Sequence, residues 1–164
     1  PGWSNLFLKL FSIPFILIGV GVVVAFFYFL MGLTNPQLEL TLEPGEPRLG
    51  DSPKLKWRIK GNANRIRHLQ ILLKGVENAS YRRGTNTITD SETFYSNVLY
   101  ETRDRLSMSR GNIPLSVPAD LMHSFQSENN SIEWKIRIRG EIPRWPDIGD
   151  EFEIKIRPYD PSLL

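Results

Sequence analysis

The hydropathy pattern of the chain changes once. From Leu10 to Leu33 no residue is charged and almost all are apolar without alternation, whereas from Leu38 onward apolar and polar residues alternate. About 20 apolar residues in a helix match roughly 30 Å of hydrocarbon. Residues 10–33 therefore predict a transmembrane helix, 1–9 an interfacial tail, 34–37 a short linker and 38–164 a separate β domain. Pro14 is expected in the first turn of the span, where a missing N–H costs little, and Asn35-Pro36 is expected to stop it. Trp3 and Phe7 suit the headgroup region, so lipid contact is expected around residues 3–33. A signal peptide would have an apolar region of about 7–15 residues and a small-x-small end. This run is longer and ends in Met31-Gly32-Leu33-Thr34, which favours a retained anchor.

Beyond the span the period is two. Leu38, Leu40 and Leu42 alternate with Glu39, Thr41 and Glu43, and Leu55, Trp57 and Ile59 with Lys54, Lys56, Arg58 and Lys60. Such alternation marks strands buried on one face, with the charged row as the solvated face. Further strands are expected at 66–73, 85–89, 92–100, 112–117, 132–138 and 152–156, with one helical turn at 119–125. Short strands separated by turn residues, with no long amphipathic helix among them, predict one all-β antiparallel sandwich. Trp57 and Trp134 fall on the apolar phase and are expected as core anchors.

Charge narrows the partners. Lys9 is the one charged residue before Asn35, and the rest of the chain carries 19 Lys and Arg against 18 Asp and Glu. No run of basic residues adjoins the span, which argues against nucleic acid and against strong capture of anionic lipid. The chain has no cysteine, so disulfides, thiolate catalysis and Cys-based metal sites are excluded. A short tail before a first helix tends to stay in the cytoplasm, which predicts a periplasmic domain.

The last third holds more specific wording: Ile113-Pro114, Val117-Pro118, Met122-His123-Ser124-Phe125, Asn129-Asn130, Ile132-Glu133-Trp134 and Gly140-Glu141-Ile142-Pro143-Arg144-Trp145-Pro146-Asp147. With Gly75 to Gly84 ahead of it, this resembles the arrestin-like, immunoglobulin-related β-sandwich of single-span bacterial membrane proteins. The resemblance covers most of residues 50–158. It implies a bacterial inner-membrane location, and binding or scaffolding rather than catalysis.

Candidate chemistry is sparse. Asp120, His123 and Ser124 are close in sequence, but neighbouring His and Ser side chains diverge on most backbones and no Gly-x-Ser-x-Gly elbow is present. His68 and His123 have no metal-ligand spacing. No residue set marks a catalytic, metal, cofactor or small-molecule site. Two segments suit protein contact instead. Gly21, Ala25, Tyr28 and Gly32 share one helical stripe, and small residues four apart let helices pack closely in a bilayer; the plain alternative is an unpartnered anchor. Arg144, Trp145 and Asp147 lie in a proline-bounded corner, where Arg beside Trp suits a docking surface. The competing expectation is that Trp145 closes one end of the sandwich while Arg144 pairs with an acid.

Together these features predict a non-enzymatic accessory subunit, its helix packed on a larger integral membrane complex and its sandwich bracing the aqueous surface. The alternative is an arrestin-like adaptor that recruits a soluble partner to the membrane.

Overall fold

A computed structural model describes residues 2–160, with side chains from Phe7 onward. The headgroup role expected of Trp3 and the last four residues of the expected domain lie outside the described residues. Helix α1 (Gly2–Gly32) is followed by β1 (Gln37–Glu43), β2 (Lys54–Lys60), a 3-10 turn (Ala63–Arg65), β3 (His68–Arg83) and β4 (Asn86–Thr102). Then come α2 (Arg105–Ser109), β5 (Arg110–Pro114), β6 (Phe125–Gln126), β7 (Asn130–Glu141) and β8 (Ile148–Ile154).

Within α1, residues 7–32 are long and apolar enough to cross a membrane, and the sandwich does not bury them. The helix begins upstream of the expected start, so Pro14 lies in its interior rather than in its first turn. Ser12 Oγ lies 3.0 Å from the carbonyl oxygens of Leu8 and Lys9, giving that hydroxyl acceptors inside the helix. Such pairing is what an apolar surrounding demands of a polar group.

The strands form two sheets, both wholly antiparallel among the described strands. One has the order β1-β2-β5, and the other runs β4-β3-β7, with β6 and β8 sharing the far edge of β7. The alternating phases turn Leu55, Trp57 and Ile59 toward Leu69, Ile71, Leu73, Trp134, Ile136 and Ile138, and all nine are buried. Among the described residues, none of α1 enters the core. Trp57 spans the layers: its ring centroid is 4.7 Å from that of Tyr100, and Nε1 donates to the Met108 carbonyl at 3.2 Å. Both tryptophans are therefore core anchors.

Three local expectations are corrected. The strands expected at 85–89 and 92–100 are one continuous strand, β4, paired with β3 from Arg83↔Asn86 to Leu69↔Thr102. Asp90 and Ser91 look like turn residues in sequence, but here Ser91 Oγ donates to Asn78 Oδ1 at 2.7 Å and Ser80 Oγ lies 2.8 Å from Thr89 Oγ1. Cross-strand polar pairs of this kind contribute about 0.2–1 kcal/mol each. The turn falls instead at Gly84, whose φ of 68° suits glycine at the first position of a two-residue hairpin loop.

The helical turn expected at 119–125 is absent, and the short helix is α2. Asp104 caps α2 by accepting from Ser107 N at 3.1 Å, and Met108 anchors it in the core. Residues 119–121 bend and 122–124 are irregular, fixed to the sandwich where Trp134 Nε1 donates to Met122 O at 2.9 Å and Ser124 N donates to Ile156 O at 2.9 Å. Finally, β5 stops at Pro114, and Leu115 and Val117 donate instead to the carbonyls of Pro53 and Asp51.

The register gives the sandwich two distinct ends. His68 of β3 lies opposite Glu141 of β7, and Lys60 opposite Gln37, so these termini share the end from which α1 leaves. The β3–β4 hairpin runs the other way, and beyond Ala79↔Asn130 it outgrows β7 and projects as a two-stranded arm.

Candidate functional site at the helix-bearing end

Helix and corner meet here. Asn35 Nδ2 donates to the Pro146 carbonyl at 3.0 Å, and a Cβ built at Gly32 would lie 3.7 Å from Pro146 Cβ. Ala25, Tyr28 and Gly32 line one wall of an open crevice, and Pro146, Asp147 and Phe152 the other. Three residues of the helical stripe thus face the same space as the corner, although well over 100 positions separate them in sequence. Gly21 lies farther along the helix with open space around it. Gly32 uses its small face against Pro146 of its own chain, which leaves Gly21, Ala25 and Tyr28 as the open part of the stripe.

The corner is self-tied. Trp145 N donates to Ile142 O at 3.2 Å, and Asp147 Oδ1 accepts from Ile142 N at 3.0 Å. Trp145 is half-buried against the core and stacks under the Arg65 guanidinium, whose carbon is 4.2 Å from the ring centroid. So Trp145 does close this end of the sandwich. Arg144 is exposed and, among the described residues, makes no ion pair, so the expected Arg144–acid pairing is absent. Its φ of 60° is costly for a residue with a Cβ, and such strain concentrates where surfaces bind.

Beside the corner, His68 Nε2 lies 2.8 Å from Glu101 Oε1 and Nδ1 lies 3.2 Å from Glu141 Oε1. Hydrogen bonds to Glu141 and Glu101 hold the imidazole pKa above its ordinary value, against the opposing effect of burial. A raised folded-state pKa means the stabilisation is complete below about pH 6.5 and is lost as pH climbs through the folded value. The melting temperature of the native chain is therefore expected to exceed that of His68→Gln most at about pH 6, with the gap closing toward about pH 9. A gap independent of pH would show that His68 acts by packing alone. Nothing in the sequence marked His68, because its two acids come from β4 and β7.

Asp120, His123 and Ser124 do not assemble into a nucleophilic site. Ser124 Oγ accepts from Ile156 N at 2.9 Å, and His123 Nδ1 lies 2.8 Å from the Ser124 backbone oxygen rather than the hydroxyl. The serine thus ties the chain after β8 to the segment before β6.

No family model matches this chain, and no curated relative matches it. Among solved structures, the crystal structure of Spo0M, sporulation control protein, from Bacillus subtilis is similar to it with a TM-score of 0.50 and 14% identity. The likeness covers 76% of this chain and 50% of that protein, so the chain spans about half the length of Spo0M. At this identity the likeness concerns fold alone, and it supports a β-sandwich domain.

Proposed function

We propose that the chain is a single-pass, membrane-anchored accessory subunit of a larger integral membrane complex. It acts without catalysis, in the bacterial inner membrane, with its arrestin-like sandwich on the periplasmic side. The observation that carries this reading is the shared crevice: Ala25 and Tyr28 of the open stripe and the Pro146–Asp147 corner face one space. A partner helix on Gly21, Ala25 and Tyr28 would continue upward against the corner, where Arg144 is free to meet it. Lipid supplies little force of its own for helix association, so close backbone approach matters most on such a stripe.

The test is a Gly21→Leu, Ala25→Leu double substitution, with Val23→Leu as equal bulk on another face. Gentle detergent extraction of the native chain is expected to bring down a membrane complex at constant stoichiometry. The double variant is expected to insert normally, since Leu is more apolar than Gly or Ala, and to lose those partners. Retention of partners by the double variant would sink the helix-packing reading and move docking to Arg144 and its corner. Partners that are soluble and wash off in salt would favour the adaptor function instead.

A further inference from the structure

The sequence has no basic run beside the span, yet the fold gathers three arginines at the helix-bearing end. Arg67 stands at the start of β3, and Arg103 and Arg105 follow the end of β4; together with His68 and Glu141 they line one shallow pocket. Arg67, Arg103 and Arg105 are exposed, and among the described residues none of them makes an ion pair. Glu101 and Glu141 bond His68 and Asp104 accepts from Ser107, but these acids keep their charge, so the site offers three unpaired guanidinium donors rather than a large net positive charge. Between the arginines and the end of α2 projects Leu106, with 86% of its surface exposed, the most exposed large apolar residue among those described.

Position identifies what this patch meets. In the five-stranded sheet β4 and β8 are opposite edges, and α1 joins the sandwich beside β8. The patch therefore lies across the same end, about three strand spacings or roughly 14 Å from the anchor's flank. Asp147, Asp150 and Glu151 line the crevice flank beside the helix, while the unpaired arginines lie on the flank away from it. The contact of Gly32 with Pro146 and the Asn35–Pro146 hydrogen bond tie this end of the sandwich to α1, so tilting of the helix in the bilayer carries this end with it. We infer that Arg67, Arg103 and Arg105, with Leu106 between them and the bilayer, form a second contact that docks this flank on the anionic phospholipid surface around the anchor. The guanidinium groups meet lipid phosphates, and Leu106 enters the interface as an apolar tooth. This inference rests on the membrane-anchor reading but not on any protein partner.

The absence of native cysteine makes the test direct. The full chain carrying Leu106→Cys, labelled with bimane, is reconstituted into vesicles of phosphatidylcholine alone or with about one-third phosphatidylglycerol, each holding a headgroup nitroxide quencher. Bimane at Thr87→Cys, on the far hairpin arm, serves as the distant control. Quenching at position 106 is expected with phosphatidylglycerol and not without it, and at neither composition for position 87. Adding Arg103→Gln and Arg105→Gln is expected to shift the docked-to-undocked ratio about 25-fold, each arginine near an anionic surface being worth about fivefold. Arg103→Lys with Arg105→Lys keeps the charge and should keep the quenching, which separates lost attraction from lost folding. Equal quenching in phosphatidylcholine alone would overturn recognition of anionic lipid. No quenching at 106 in either vesicle would overturn lipid docking. Shielding of the label only in native membranes would assign the patch to a protein and likewise overturn the proposal.

Discussion

Replacing Trp134 with Ala is expected to lower the stability of the freed sandwich, residues 37–164, by about 3–5 kcal/mol. That fragment should fold as a β-rich unit, since none of the described residues of α1 enters the core. The Trp134 ring is fully buried, meets Phe94 edge-on at 5.5 Å and Tyr95 at 5.4 Å, and donates to Met122 O at 2.9 Å. A buried Trp removes about 150–250 Å² from water, worth roughly 4–6 kcal/mol at 25 cal/mol per Å². The hydrogen bond adds only about 0.5–1.5 kcal/mol, so packing decides the outcome. Trp134→Phe keeps most of the packing and should cost far less. Denaturant titration of both variants is the check. A loss below about 1 kcal/mol for the alanine variant would mean the ring is not a packed anchor.

Gly111→Ala is the second large effect, and it comes from the opposite fault. Gly111 lies directly across from Trp57, and a Cβ there would sit 2.2 Å from Trp57 Cζ2, with Cη2 at 2.4 Å. No flexible side-chain end can yield at this contact. The indole is buried, held by Met108 and packed at a tilt against Tyr100, so the ring or strand β5 must move. Overpacking of this kind costs about 1–3 kcal/mol and occasionally more; one added methyl is expected at the upper part of that range. Trp57→Leu alone should also destabilise, by opening a cavity. The double variant Gly111→Ala, Trp57→Leu should then lose clearly less than the sum, because the smaller side chain makes room for the methyl. Strict additivity in a thermal-melt cycle would show that Gly111 is required for some other reason.

The same glycine shows how far local pattern carries. Its neighbours in sequence, Arg110 and Asn112, give no hint of a tryptophan 54 positions away. Likewise, Gly75 accommodates the Phe94 ring, whose Cζ would lie 2.5 Å from an added Cβ. What was legible along the chain was phase. The alternation of Leu55, Trp57 and Ile59 and of Trp134, Ile136 and Ile138 assigns these residues to the buried face before any coordinates are known, because successive strand side chains point to opposite faces. Turn residues were legible less well: Gly84 marks a turn, while Asp90-Ser91, no less turn-like, lies within a paired strand.

The stripe and the corner divide in the same way. That Gly21, Ala25, Tyr28 and Gly32 share one side of a helix follows from the helical repeat. That Gly32 rests on Pro146, and that Ala25 and Tyr28 face the same crevice as Asp147, depends on where residues 33–36 turn the chain. Trp145 reads in sequence as either a docking residue or a plug. Its burial, its turn bond to Ile142 and its stack with Arg65 make it a plug, and leave Arg144 as the outward residue.

By itself, then, the sequence determined an apolar span, a chain of half-buried strands and the buried phase of the strands around Trp57 and Trp134, since each depends on periodicities of two or 3.6 residues within one element. Only the tertiary structure decided which elements became neighbours: β6 and β8 on one edge of β7, His68 between Glu141 and Glu101, and Arg67 beside Arg103 and Arg105. Those groupings join residues tens of positions apart through sheet register and the ends of long hairpins. Strand order carries the three unpaired arginines to one flank of the helix-bearing end and the acids of β8 to the other, a placement that no count along the chain shows.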